Sequence, residues 1–330
     1  MSSTEANLSS NPNPPDAAAA LRQRQYEMRV RNIGEMVQRK ECILFLGSAI
    51  HAPSPSGSLY DYPASKCPPI GGQLSDLLAT ECGYPADQDR WNLQRVSWYY
   101  EWQAGFRSEL VREVRDAVHK DREPSPILRA LARLGFPIII TTNYDQLYER
   151  ALTQIAQERA RKDQKSEAEV TATKANFDKC VYSPKSTVRT NDCSPEPSQA
   201  RPYMLKIHGD LDQAESIVIT DEDYIQFVLR MGDKHPYHPV GKNVLTHLIK
   251  WPTLFIGYRL SDYNLRLLFK TLRWKMDRAN IPASYAVDLR PDVLIRASME
   301  NQQIVSFIEK NLWDFVPDLY KAVTGEEMPK

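Results

Sequence analysis

The sequence predicts a single α/β domain built on a doubly wound, mostly parallel, Rossmann-like sheet with helices on both faces. Two observations predict this fold class. Short segments that are apolar throughout recur along the chain, and segments with helical spacing separate them. Continuously apolar strands are typical of parallel sheets, because such sheets are covered on both faces. Strands that alternate with helices indicate the βαβ units from which doubly wound sheets are assembled.

Composition and charge are those of an ordinary globular protein. The 330 residues are 42% hydrophobic and 25% charged, and 42 basic residues balance 42 acidic ones. A formal net charge of zero gives no overall field toward nucleic acid or an anionic membrane, so we expect neither as a partner. Apolar stretches stay well below the roughly 18–20 residues that a membrane-spanning helix needs. Five cysteines at irregular spacing give no disulfide framework and favour a cytoplasmic location.

The chain is expected to consist of a short leader and one folded domain. Residues 1–20 are rich in Ser, Asn, Pro and Ala and are predicted to be disordered. Residues 21–330 are assigned to one α/β domain with helical insertions over about 73–125 and 155–201. The second insertion is rich in Gln, Glu, Lys and Ser, and about 291–330 is predicted to be a helical C-terminal segment.

Six short apolar segments are predicted to be strands, and helices are predicted between them. The strands cover 42–46, 137–141, 203–207, 216–219, 253–256 and 284–287. Asn143 is a candidate N-cap for a helix over 144–160. The segment 47–72 follows the first strand directly and contains five prolines. Long irregular loops of this kind are usually functional or disordered.

Small or polar residues follow most of these strands at the point where each strand ends. These strand tips are Gly47-Ser48, Thr142-Asn143-Tyr144-Asp145, His208-Gly209-Asp210, Gly257-Tyr258 and Asp288. In an open parallel sheet, ligands bind at the carboxyl ends of the strands, near the point where the strand order reverses. The sequence therefore predicts a ligand site at this edge of the sheet.

Each tip, taken singly, has a structural explanation as well as a functional one. Gly47-Ser48-Ala49 is either a tight turn or a place where the backbone approaches a pyrophosphate. Asn143 and Asp145 either cap the following helix or present a side chain to a ligand. His208 is either a structural histidine or an acid–base group, since the unperturbed histidine pKa of about 6.5 suits proton transfer near neutral pH.

The ordered set of tips resembles the sirtuin-like superfamily, and specifically the zinc-lacking branch that is common in bacterial defence proteins. The matching segments are 45–51, 141–145, 206–210 and 255–262, within about 35–290 of the chain. The two C-x-x-C pairs of the sirtuin zinc ribbon are missing from this sequence. The resemblance therefore implies a sirtuin-like Rossmann fold with no zinc ribbon and no metal cofactor.

The resemblance also implies NAD as the substrate and gives the tips their roles. The first loop would hold the NAD phosphates, the second motif would flank the nicotinamide ribose, and the late glycine motif would line the adenosine side. The implied catalytic residues are Asn143, Asp145 and His208. The implied binding residues are Gly47, Ser48, Ala49, His51, Thr142, Gly209, Gly257, Tyr258 and, on a ribose hydroxyl, Asp288.

The chain departs from the family pattern in the first loop. The family usually has Gly-Ala-Gly where this chain has Gly47-Ser48-Ala49, and a serine two places further on, where this chain has His51. A methyl group at Ala49 removes the freedom of glycine to take positive φ.

The implied activity is hydrolysis of the nicotinamide–ribose bond to nicotinamide and ADP-ribose, as in an NAD-depleting effector of anti-phage defence. Effectors of this branch are often held inactive, so we expect a homo-oligomer or a regulatory protein partner. The altered glycine loop leaves open a second interpretation, a non-catalytic module that senses NAD or ADP-ribose. A protein deacylase or ADP-ribosyltransferase is a third, and the missing zinc module weighs against deacylation because it helps to shape the acyl-peptide cleft.

Overall fold

The computed structural model describes residues 14–183, 192–234, 238–258, 260, 282–302 and 305–330. Seven strands lie in this described part of the chain: β1 (Ile43–Leu46), β2 (Ile138–Thr141), β3 (Asp178–Val181), β4 (Tyr203–Lys206), β5 (Thr253–Ile256), β6 (Ser284–Val287) and β7 (Val305–Ile308). They form one sheet in the order β3–β4–β2–β1–β5–β6–β7, and every strand pair is parallel.

The described helices precede, connect and follow the strands. They are α1 (Pro14–Gln38), α2 (Gly71–Glu81), α3 (Leu93–Ala104), α4 (Arg107–Val118), α5 (Pro126–Leu134), α6 (Leu147–Lys162), α7 (Glu167–Ala172), α8 (Asp221–Arg230), α9 (Lys242–Lys250), α10 (Val293–Asn301) and α11 (Leu312–Thr324). None of them is long and apolar enough to cross a membrane.

Two layers of the core cover the sheet, one on each face, and a third apolar cluster packs among α2–α4. Successive side chains of a strand point to opposite faces, and β1 follows this rule. Leu44 and Leu46 pack in a layer with residues of α1, α5, α6 and α11. Ile43 and Phe45 pack in the other layer, with residues of α8, α9 and α10. Strands that are buried on both faces explain the continuous apolar segments, and the predicted fold class is confirmed.

The strand order reverses at β1, and this reversal positions the functional site. β1 pairs with β2 on one side and with β5 on the other. In this register Leu46 lies level with Thr141 of β2 and Ile256 of β5. The three strands therefore end together, and the loops that follow them meet at a topological switch point.

One predicted strand is wrong. Ala214–Ser216 forms a 3-10 turn, and residues 217–219 that follow pair with no neighbouring strand in the described sheet. Ile217 and Ile219 are instead fully buried against the helices α2–α4, so this segment must be apolar although it belongs to no strand of the sheet. The same burial drives both arrangements, so the apolar pattern alone does not separate them.

Two strands lie in segments that were predicted to be insertion or helix. β3 lies within 155–201 at the edge of the sheet, and three of its four residues are not fully buried. β7 lies in 291–330 between α10 and α11, although that segment was predicted to be helical. At the N-terminus, α1 begins at Pro14, inside the predicted disordered leader, whose first 13 residues lie outside the described part. The helix expected after Ser261 and Asp262 also lies outside it.

Candidate active site at the strand tips

A cleft of about 1400 Å³ opens at the carboxyl ends of β1, β2 and β5. Nine of the twelve predicted site residues line it: Ser48, Ala49, His51, Thr142, Asn143, Asp145, His208, Gly257 and Tyr258. Residues separated by most of the chain length therefore face one volume, as the switch-point rule predicts. The other three, Gly47, Gly209 and Asp288, are not among the lining residues that the structure describes.

Gly257 lies on the floor of the cleft, and Gly47 supports this floor by touching Gly257 backbone to backbone. The Gly47 N–H donates to the Ile256 carbonyl at 2.9 Å, and the Ala49 N–H donates to the Gly257 carbonyl at 3.1 Å. A Cβ on Gly47 would lie 2.4 Å from the Gly257 oxygen, and Gly257 itself has φ +77°. Both positions therefore require glycine. Ala49 lies in the 3-10 turn Ser48–His51 at negative φ, so its methyl group costs no backbone strain.

Asp145, and not Asn143, binds the start of the helix after β2. The predicted N-cap at Asn143 is wrong, because α6 begins at Leu147. The Leu147 N–H donates to Asp145 Oδ1 at 2.9 Å, while the Asn143 N–H donates to Thr141 Oγ1 at 3.0 Å. This turn leaves the Asn143 side chain on the wall of the cleft.

His51 is paired with Asp145 inside the cleft wall. His51 is 2% exposed and Asp145 7%, and His51 Nε2 lies 3.1 Å from Asp145 Oδ2. Burial would raise the pKa of Asp145, but His51, Lys206 and the Leu147 N–H outweigh it and lower that pKa to about 2. Asp145 is therefore ionised at neutral pH. The sequence pattern placed His51 with the phosphate loop, and a histidine in place of the usual serine was the signal that its role differs.

His208 is a buried, neutral imidazole at neutral pH. The rings of Tyr224 and Phe227 meet it edge-on, with centroids 5.2 and 5.3 Å away. Burial lowers the pKa of His208 to about 3, because the apolar surroundings disfavour its charged form. The unperturbed pKa used for the sequence prediction therefore does not apply here. Gly209 carries the chain away at φ +91°, where a Cβ would lie 2.2 Å from the Ser216 carbonyl oxygen.

A fully buried lysine lies beneath the turn that carries Asn143 and Asp145. Lys206 Nζ lies 2.9 Å from Asp210 Oδ2 and 3.2 Å from Glu149 Oε1, and it donates to the Tyr144 and Asp145 carbonyls. Burial opposes the charge of Lys206, but the carboxylates around it outweigh burial and raise its pKa. This ammonium ties β4 to the turn after β2. A lysine inside an otherwise apolar strand was the missed signal.

Two further contacts involve Tyr258 and Asp288, which the sequence prediction assigned to the adenosine side. The Tyr258 hydroxyl donates to Thr142 Oγ1, so the tips of β5 and β2 are bridged directly. Asp288 follows β6, and its Oδ1 accepts from the Arg290 N–H at 2.9 Å. Asp288 thus closes its own turn and lies apart from the cleft lining that the structure describes.

Much of the cleft wall comes from residues that sequence reasoning did not select. They are mainly apolar or small: Pro68, Pro69, Ile70, Gly71, Gly72, Leu74, Trp91, Leu93, Tyr224, Ile225, Val228 and Leu229. The first five belong to the long proline-rich loop that was expected to be either functional or disordered. The others lie on α2, α3, α8 or just before α3, where helical periodicity alone does not separate a cleft wall from a packed core.

The described residues contain no group of three or more His, Cys, Asp or Glu side chains that could hold a metal ion. All five cysteines are free thiols.

A doubly wound sheet with a cleft at its switch point defines the class of α/β proteins that bind a ligand at the carboxyl ends of the strands. The SIR2-like domain family matches residues 137–311, more than half of the sequence, and the chain belongs to this family.

Curated relatives agree with this assignment. The chain is similar to a protein named NAD(+) hydrolase ThsA from Enterococcus faecium, at 24% identity over 258 residues, which cover 78% of this chain and 45% of the relative. It is also similar to Defense-associated sirtuin 2 from Bacillus subtilis, at 25% identity, covering 64% of this chain and 18% of the relative. A protein named NAD(+) hydrolase ThsA from Acinetobacter baumannii (strain 532279) is 26% identical, covering 61% and 35%. The chain spans less than half the length of these relatives.

Proposed function

We propose that this chain is an NAD glycohydrolase, which cleaves the nicotinamide–ribose bond of NAD to nicotinamide and ADP-ribose. The observation that carries the proposal is the meeting of Asn143, Asp145 and His208 in one cleft above the Gly47–Gly257 floor. A backbone floor without side chains suits a pyrophosphate, and the polar groups beside it suit a ribose. The names of the ThsA relatives support the same reaction.

The reaction requires stabilisation of a cation more than it requires a strong acid. The bond between ribose C1′ and the nicotinamide nitrogen breaks, and its electron pair leaves with neutral nicotinamide. The ribose then carries oxocarbenium-like positive charge, as in glycoside hydrolysis. Asp145 is ionised and held in place by His51 and Leu147, so its negative charge is fixed before the reaction starts. A preorganised charge of this kind favours the developing cation.

Water completes the reaction at C1′. Asn143 offers an amide on the cleft wall that can hold a ribose hydroxyl or the attacking water. His208 is neutral and can accept a hydrogen bond from that water. Water that has bonded to an oxocarbenium carbon is strongly acidic, so a weak base suffices to take its proton. His208 takes the proton and passes it to solvent.

The setting of this activity is proposed from the relatives. Defense-associated sirtuin 2 is named for defence, which supports an NAD-depleting effector in anti-phage defence. Such an effector would act in the cytoplasm, where NAD is available. It would be kept inactive until a homo-oligomer or a regulatory protein partner switches it on.

The test is incubation of the purified chain with NAD, followed by chromatography for nicotinamide and ADP-ribose. The parent chain should release both products in equal amounts, and Asn143→Ala and His208→Ala should each lower the rate by about 100-fold or more. His247→Ala is the matched control, because His247 is also buried but lies on α9. Circular dichroism should show that all variants keep the fold.

Three outcomes would contradict the proposal. If Asn143→Ala and His208→Ala both hydrolyse NAD at the parent rate, the proposed mechanism is wrong. Binding of NAD that is returned intact would favour a sensor. Nicotinamide release only after an acylated peptide or an acceptor protein is added would favour a deacylase or an ADP-ribosyltransferase.

A further inference from the structure

One ring nitrogen of His51 contacts both polar groups of the turn after β2. Nε2 lies 3.1 Å from Asp145 Oδ2 and 3.3 Å from Asn143 Nδ2. His51 follows β1, whereas Asn143 and Asp145 follow β2, so the contact joins two different strand tips. All three residues line the same cleft.

The position of the proton on the His51 ring decides which hydrogen bonds His51, Asp145 and Asn143 can form. Asp145 is ionised, and an ionised carboxylate only accepts hydrogen bonds, so Nε2 must carry a proton and donate it to Oδ2. His51 Nδ1 is buried and has no hydrogen-bond partner among the described residues. The contact with Asp145 therefore requires a proton on Nε2.

The same proton leaves one end of the Asn143 amide available. Asn143 Oδ1 is buried and has no hydrogen-bond partner in the described part of the chain. If the amide turns over, its oxygen faces the Nε2–H and its NH₂ takes the unpartnered place. Only this second orientation bonds to a protonated Nε2, because an NH₂ and a ring N–H are both donors; the NH₂ end then requires a partner that the described residues do not supply.

We propose that His51 is a positioning residue of the ribose site, which holds the Asp145 carboxylate and aims the free end of the Asn143 amide at the bound nicotinamide ribose. This inference rests on the proposed function and extends it to a residue that the phosphate-loop assignment placed elsewhere. His51 acts through its neighbours and does not itself touch the reacting atoms. Binding of the pyrophosphate depends on the Gly47–Gly257 floor, so removing His51 should affect turnover more than substrate affinity.

The first experiment compares His51→Leu and His51→Gln in the NAD assay. His51→Leu removes the donor and should lower kcat by about 100-fold, as expected for misplaced reacting groups, with KM nearly unchanged. His51→Gln keeps an N–H donor of similar reach and should recover a large part of that loss. The matched control is His247→Gln, since His247 is also buried, also bonds through Nε2, to the Pro195 carbonyl at 3.1 Å, and also has an unpartnered Nδ1 among the described residues. It should turn over NAD at the parent rate.

The second experiment does not depend on turnover. Nitrogen-15 NMR of the parent chain should show a proton on His51 Nε2, and Asp145→Asn should remove the preference for that nitrogen. Added ADP-ribose should shift the side-chain amide signals of Asn143 in the parent and leave them unshifted in His51→Leu. This measurement tests the positioning role of His51 even in a variant whose NAD turnover is too slow to measure.

The results separate the two proposals. A parent chain that leaves NAD intact would overturn the proposed hydrolase, while the NMR result would still decide the part of His51. Parent-like kcat in His51→Leu, equal losses in the Leu and Gln variants, or a ring protonated only at Nδ1 would each overturn the positioning role.

Discussion

Substitution of Gly257 by alanine tests the glycine floor of the cleft most directly. Gly257 has φ +77°, and a Cβ there would lie 2.4 Å from the Gly47 carbonyl oxygen and 2.6 Å from the Ile50 nitrogen. A left-handed conformation costs an alanine roughly 1–2 kcal/mol. The contact adds to this cost, because Cβ atoms do not approach backbone oxygens closer than about 3.0 Å, and backbone atoms cannot swing away as a side chain can.

The loops that follow β1 and β5 must therefore move apart by more than half an ångström. That movement stretches the hydrogen bonds from Gly47 N–H to Ile256 O and from Ala49 N–H to Gly257 O. Each bond is worth about 1 kcal/mol net, so Gly257→Ala should lower the free energy of unfolding by about 3–4 kcal/mol in all. Under the proposed function the pyrophosphate binds at the Gly47–Gly257 floor, so this movement should also weaken ADP-ribose binding and reduce NAD turnover by about 100-fold.

Gly325→Ala is the matched control for this experiment. Gly325 has φ +76° at the end of α11, and a Cβ there would meet no atom within 4 Å. It should lose only the 1–2 kcal/mol of backbone strain and bind ADP-ribose as the parent does. Denaturant unfolding and titration calorimetry measure the two effects. Equal losses of stability in the two variants, with parent-like binding by Gly257→Ala, would refute a floor that depends on close backbone contact.

Two further predictions concern buried charges. Lys206→Met should lower the free energy of unfolding by about 3–5 kcal/mol, because Asp210 stays buried and loses its fully buried partner. The Lys179 ammonium contacts the same carboxylate at 3.0 Å but its side chain is 29% exposed, so Lys179→Met should lower the free energy of unfolding clearly less. An equal loss in the two variants, measured by denaturant titration, would contradict this reasoning. The pKa of His208 is about 6.5 in the unfolded chain and about 3 in the folded one. The unfolded state therefore binds more protons between these two pH values. The stability that is present above pH 6.5 is lost as the pH falls through this range. Between pH 7 and 4.5 the parent should lose about 2.5 kcal/mol more than His208→Gln, and parallel pH profiles would show that His208 is not buried as a neutral ring.

The sheet and the location of the cleft could be predicted from the sequence because both depend on local patterns. The central strand β1 is apolar throughout, and β2 is apolar up to its last residue, Thr141, since both faces of these strands are covered. Their tips carry glycine or polar residues that a buried strand does not need. Edge strands give a weaker pattern: β3 reads Asp-Lys-Cys-Val, which is only partly buried, so it was assigned to an insertion.

The connections within the site could not be predicted, because they join residues that are distant in the sequence. Asn143 and Asp145 have the same capping chemistry, and only the observed start of α6 at Leu147 shows which of them binds it. The pairing of His51 with Asp145 depends on how the tips of β1 and β2 face each other. The low pKa of His208 depends on aromatic rings from α8, which no motif around the histidine contains.

The contact between Gly47 and Gly257 also constrains when the cleft can exist during synthesis. Its two halves lie more than half of the chain apart, and β5 must dock against β1 before they meet. Contacts of such long range form late, because a large loop must first be closed. A nascent chain that has emerged as far as the turn after β4 carries His51, Asn143, Asp145 and His208, but it lacks the contact between Gly47 and Gly257. Under the proposed function, such a ribosome-bound intermediate would not yet hydrolyse NAD.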